Sequence, residues 1–238
     1  MEREDPEKLV VVTSTPEGVS PLTPGERSMI AEEGAQVEQA SVVDHSYPQL
    51  ADPLLRDLFE EMREAFADSD GGRTWRLAKR LTQEEPTYLP GHVFEELALN
   101  VGRGRDLKAC VEKCHFNIEL AQQLIKGQAA PAHTDREVLP EHVNEMLDMV
   151  RYNLSDRLMR LGRYEEALHQ LRLSEMLPKG TEAKMKRRIK EASLLYRLKD
   201  RKGCTLKLKQ ARDMDRELFS ILSERMAMDG HAGVDQWV

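Results

Sequence analysis

Three features of the 238-residue chain predict an all-α fold. From residue 53 to about residue 228 apolar side chains recur three and four positions apart, the period of amphipathic helices. No run after residue 50 alternates as a half-buried strand does, and a unit of short helix, tight turn and short helix returns several times, punctuated by Gly and Pro.

Leu54, Leu55, Leu58, Phe59, Met62 and Phe66 form the first apolar stripe, which stops at Asp68-Ser69-Asp70-Gly71-Gly72. Trp75, Leu77, Ala78 and Leu81 mark a second helix that ends before Pro86. The next pair is expected over residues 93–101 and 107–125, with Gly102-Arg103-Gly104 as its turn. Pro131 and Pro140 bracket a loop. A further pair covers 143–161 and 164–177 with a turn at Gly162, and Pro178 and Gly180 stop it. The last pair covers 185–198 and 204–214, and Leu218, Phe219, Ile221, Leu222 and Met226 give one closing amphipathic helix.

The first 52 residues are of another kind. They hold five of the prolines, no sustained period, and three basic residues against eleven acidic ones, a net of −8. Such a stretch lacks the apolar area to offset its ordering entropy, so it is expected to form a largely extended acidic arm. Within it Leu9, Val10, Val11 and Val12 are the one strong strand-forming run, a candidate for docking on a partner by strand addition or in a groove. The division expected is therefore arm 1–52, helical domain 53–228 and tail 229–238. Residues 181–212 invert the charge, with twelve Lys or Arg against Glu182, Glu191 and Asp200. A cationic surface is expected there, with Lys184, Lys186, Arg187, Arg188 and Lys190 as candidate partner-binding residues. The arm and this block are complementary, and either pair with each other or recruit separate partners.

Several functions lack their residues. There is no Gly-rich phosphate loop ending in Lys-Ser/Thr, no HExxH, no GxSxG elbow and no pair of CxxC motifs, so no catalysis and no cofactor are expected. Cys110 and Cys114 lie one helical turn apart, which is half of a tetrahedral set, and they read as small buried hydrophobes. His133, Asp135, Glu137 and His142 crowd the long loop and read as solvated. No window approaches the roughly 18 apolar residues of a membrane span. The opening MEREDPEK is acidic where a secretory signal is basic and then apolar, so three free thiols in a reducing cytoplasm are expected.

The segment Asn153-Leu154-Ser155, Leu158, Gly162, Tyr164, Ala167, Leu171, Ser174 and Pro178 resembles the tetratricopeptide repeat, in which small residues let two helices cross closely and large ones fill the remaining gap. Cys204 and Ala211 stand 37 residues beyond Ala167 and Ser174, and Phe94, Leu97, Ala98, Val101, Leu107 and Cys110 follow the same order upstream. Trp75 with Ala78 fits a still earlier second helix. The resemblance implies a right-handed superhelical solenoid of about three to four helix-turn-helix repeats, a C-terminal capping helix, and a concave face lined by first helices. It implies a protein-binding adaptor or scaffold subunit of a larger complex. In the family's chaperone-binding members an Asn and basic residues on first helices hold a terminal carboxylate. Asn153 stands at the Asn position, with Lys186 and Lys190, or Lys184 and Arg188, as cations, whereas the preceding repeat has Glu95 and Leu99 where Lys and Asn are expected. The alternatives are thus a co-chaperone-like receptor for acidic C-terminal peptides and a nucleic-acid-associated factor using the basic helices of 184–212.

Overall fold

The computed structural model describes residues 47–101, 106–174 and 180–228. Within them nine helices follow one another: α1 (Pro53–Ala67), α2 (Gly71–Glu84), α3 (Leu89–Asn100), α4 (Leu107–Ile125), α5 (Pro140–Arg160), α6 (Tyr164–Leu173), α7 (Thr181–Arg197), α8 (Arg201–Arg212) and α9 (Arg216–Met228). Each packs on the next in chain order, and α3 also meets α5 while α7 meets α9, an arrangement compatible with a helical repeat. The run at Leu9 to Val12 and the tail 229–238 lie outside the described residues.

Aspartates start most of these helices. Asp52, Asp70, Asp106 and Asp200 each accept a hydrogen bond from a first-turn backbone N–H at 2.8–3.0 Å, and Asp215 accepts from Leu218 N in the same way. These bonds satisfy donors that have no partner inside the helix, and the negative charge suits the positive end of the dipole. At α5 the first helical residue is Pro140, whose missing N–H costs nothing there, and His142 Nδ1 accepts from Leu139 N at 3.1 Å. His142 is therefore a capping residue rather than a solvated loop residue.

Four turns share one geometry. Ser69, Gly127, Gly162 and Lys199 take φ of 58°, 65°, 75° and 65°. At each, the residue's own N–H reaches back three residues, and the next N–H reaches back five, as in Arg163 N to Leu158 O and Asp200 N to Leu195 O, both 2.9 Å. This is the left-handed helix stop that a glycine makes without strain. Gly162 was expected in that role; Lys199 was not, since the sequence places the last turn nearer Gly203. The structure puts Lys199 exactly one 37-residue step after Gly162 and leaves Gly203 inside α8, where a Cβ would collide with the capping Asp200 carboxylate.

The core runs the length of the described chain. In its N-terminal half Tyr47, Tyr88, Phe59, Phe94 and Phe66 form a file of edge-on rings with centroids 5.5–5.8 Å apart. Tyr47 and Leu50, expected in the arm, are buried. Leu50 bridges to Thr134, Ala51 N donates to His133 O at 3.0 Å, and Asp135 N donates to Gln49 O at 2.8 Å. Residues 47–52 thus hold the long loop against the helices, and the arm ends earlier than its composition suggests. Leu54, counted in the first stripe, is 78% exposed. Trp75 is also partly exposed, with the Lys79 ammonium 4.8 Å above its ring.

Candidate protein-binding surface

Three of the expected partner-binding residues serve the interior. Asn153 is buried and its Nδ2 donates to Glu96 Oε2 at 3.4 Å. Lys190 is buried between α5 and α7, where its Nζ donates to Tyr152 O at 3.2 Å, lies 3.4 Å from Asp156 Oδ1 and sits over the Tyr152 ring. Burial pushes the Lys190 ammonium down to about 8, and the Asp156 carboxylate opposes that fall. Arg187 donates to Leu171 O, Arg172 O and Ser174 Oγ, so it caps carbonyls at the C-terminal end of α6, where the helix dipole is negative. Charge reversal at Arg187 or Lys190 would break these contacts rather than probe a surface.

Of the other cationic candidates, one is exposed and two are half-buried. Lys184 is exposed, Lys186 pairs with Glu182 one turn back at 2.8 Å, and Arg188 donates to Gln210 Oε1 at 2.7 Å, tying α7 to α8. A second group in the same basic stretch is more open. Arg201, Lys202, Leu206, Lys209 and Arg212 line the exposed side of α8, while Cys204, Leu208 and Ala211 face the core. Successive spacings of one, four, three and three residues place these five on one arc of the helix. Among the described residues none of the four cations meets a carboxylate, and Leu206, one turn from both Lys202 and Lys209, is 54% exposed. The helical spacing was the available signal; it was hidden because the whole of 181–212 reads as uniformly basic.

Two ionic groups tie α3 to its neighbours. Arg157 Nη2 is 3.4 Å from Glu96 Oε1, joining α5 to α3, and both side chains are almost wholly buried. Burial pushes the Glu96 carboxyl up while the Arg157 guanidinium pulls against it. Cys110 and Cys114 flank this pair, and burial pushes the Cys110 thiol up to about 11 and that of Cys114 well above its ordinary value. The three free thiols of Cys110, Cys114 and Cys204 are all buried. A maleimide is expected to modify none of them in the native chain near neutral pH and all three after denaturation; mass spectrometry reads the difference, and a thiol labelled in the native chain would contradict the burial.

Glu95, beside Glu96 but about 100° round the helix, meets Lys113 Nζ at 2.5 Å. His92 Nε2 donates to Pro86 O at 2.8 Å and its Nδ1 accepts from Lys113 at 2.9 Å. Burial opposes charge on Glu95, and the His92 ring and the Lys113 ammonium outweigh it, holding the carboxyl at about 2. A lowered carboxyl value stabilises the fold above the unfolded value of 4.5, and that contribution disappears as pH falls through 2. Glu95→Gln is therefore expected to make the loss of stability between pH 4.5 and 2 shallower, measured by urea unfolding across that range. An unchanged slope would remove the ion pair from the stability of α3 and α4.

A surface depression of about 380 Å³ is lined by Lys108, Val111, Glu112, Leu161 and Arg163, and Arg163 there is engaged by Glu166 at 2.6 Å. No grouping of three His, Cys, Asp or Glu suited to a metal ion occurs among the described residues. No helix among them is long and apolar enough to cross a membrane. The chain matches no known protein family and no curated protein.

Proposed function

We propose that this chain is a non-catalytic adaptor or scaffold subunit that works in the cytoplasm, a tetratricopeptide-like right-handed solenoid that binds an acidic protein partner. The repeat reading is supported by three coincidences at one spacing. Gly162 and Lys199 make the same left-handed turn. Ala167 and Cys204, and Ser174 and Ala211, fill buried small-residue positions, and each pair is separated by the same 37 residues. On this reading α3 with α4, α5 with α6 and α7 with α8 are successive repeats, α1 with α2 precedes them, and α9 is the cap.

The observation that carries the binding reading is the face of α8, four cations that meet no carboxylate among the described residues, around an exposed leucine. Charged side chains that the fold does not use raise the rate of encounter with an oppositely charged partner, and an apolar residue in their midst supplies an anchor. The arm's Leu9 to Val12 run would add a second contact, as a strand laid on the partner. The receptor for acidic C-terminal peptides has less support, because Asn153, which stands at the clamp's Asn position, and Lys190, one of its candidate cations, have polar atoms engaged inside the fold.

Co-purification of the full chain followed by mass spectrometry identifies the partner. Reversal of Arg201, Lys202, Lys209 and Arg212 to Glu is expected to weaken its binding by at least about tenfold, and added salt to weaken the wild type. A protein partner held equally well by the variant and at high salt would overturn the α8 surface. Recovery of nucleic acid in place of a protein would overturn the adaptor.

A further inference from the structure

We propose that, in the absence of a partner, the acidic arm of the same chain covers the exposed face of α8, with Leu9 to Val12 against Leu206 and arm carboxylates against Arg201, Lys202, Lys209 and Arg212. This rests on the reading of that face as the partner surface and adds its regulation: the arm and the acidic partner compete for one site.

Charge is the first argument. Residues 1–46 carry ten acidic and three basic side chains, and five of the acids, Glu2, Glu4, Asp5, Glu7 and Glu17, flank the apolar run. With Arg3 and Lys8 counted, residues 1–17 keep a net charge of −3, so an apolar stretch in an acidic segment meets an exposed leucine bordered by cations. Other exposed cations are less suitable. On α2, Arg73 is held by Glu61 at 2.7 Å and Lys79 lies on Trp75, which leaves Arg76 and Arg80, whereas all four exposed α8 cations meet no carboxylate among the described residues and surround an exposed leucine.

Reach is the second. The arm joins the body at Tyr47, whose ring packs on Tyr88 at the start of α3. From α3 the path to α8 crosses α5, through Glu96 and Arg157, and then α7, through Asp156 and Lys190. Three interhelix steps of about 8–10 Å make roughly 25–30 Å. A flexible linker as long as the 34 residues between Val12 and Tyr47 would have a root-mean-square span of about 30–35 Å. A tether is most effective when its span matches the separation, so the arm is present at α8 at high effective concentration without being stretched.

The test uses the full chain. Because the native thiols are buried, a nitroxide attached through Ser14→Cys labels the arm alone. Nuclear magnetic resonance then reads which backbone amides of the isotopically labelled chain lose intensity. Selective loss over residues 201–213 is expected, relieved by about 0.5 M salt, where screening is nearly complete within a few Å, and by the four-residue charge reversal. Circular dichroism confirms that the reversed chain is folded. Unaffected α8 amides, or loss that persists after charge reversal, would overturn the contact. So would loss seen only when a nitroxide-labelled chain is mixed with a second, isotopically labelled one, since the occupant would then be another copy. The two readings fail separately. A chain whose α8 is untouched by the label but which loses its partner on charge reversal keeps the partner surface and not the arm contact. A chain with the α8 effect whose partner ignores the reversal keeps the arm contact and not the shared site.

Discussion

Arg157→Met is expected to destabilise the protein by about 3–5 kcal/mol, because it strands the Glu96 carboxylate in the interior. Glu96 is fully buried on α3, and the facing guanidinium supplies its counter-charge from α5. Taking two charges out of water is expensive, so their attraction returns little net stability; removing one partner alone exposes the whole desolvation cost of the other. The double substitution Glu96→Gln with Arg157→Met is therefore expected to recover most of the loss, since Gln still offers Asn153 an acceptor and carries no charge. Urea unfolding of the four chains decides it. A single mutant as mild as a surface change, or a double mutant no better than the single, would mean that Glu96 is already neutral in the folded chain.

Phe94→Ala should cost a comparable amount, about 3–5 kcal/mol. The Phe94 ring is fully buried and meets the edges of both Phe59 and Phe66, at 5.6 and 5.5 Å between centroids. Its loss removes transfer energy and leaves a void between α1 and α3, which helices packed on both sides close only in part. Phe94→Leu retains most of the volume and should cost about 1.5 kcal/mol or less. Thermal melts of the two variants separate packing from aromatic edge contacts. A loss below about 1 kcal/mol for the alanine variant would show that this end of the core is loosely packed.

The sequence made the helices legible where punctuation and period agreed. Residues 107–125 were delimited correctly because Asp106 caps the start and Gly127 stops the end. The turn at Lys199 was less visible, since lysine has no preference for left-handed backbone and Gly203 nearby was the stronger signal. Composition averaged over 52 residues hid Tyr47 and Leu50, whose burial depends on a loop more than eighty positions away. The candidate site was legible as a charge excess but not as a surface. Lys190 and Lys209 are the same residue type in the same basic run. Only the packing of α7 on α5 turns the first inward, and only the phase of α8 turns the second outward. Tyr164 shows the same limit: the resemblance makes it a core aromatic, but it is only partly buried, with the Arg197 guanidinium 5.9 Å from its ring centroid.

The charges buried between α3, α5 and α7 bear on how such a chain can change in length. Units joined by apolar contacts alone are interchangeable, because one greasy face fits another, and they can be duplicated or deleted with modest penalty. Here Glu96 finds its counter-ion only on α5, and Lys190 has its carboxylate on the same helix. Excision of α5 and α6 would bring α3 and α7 together with a carboxylate and an ammonium that had never been matched to each other in position. The order of the helices is therefore written into the interior as a set of keyed joints, which fixes which helix follows which.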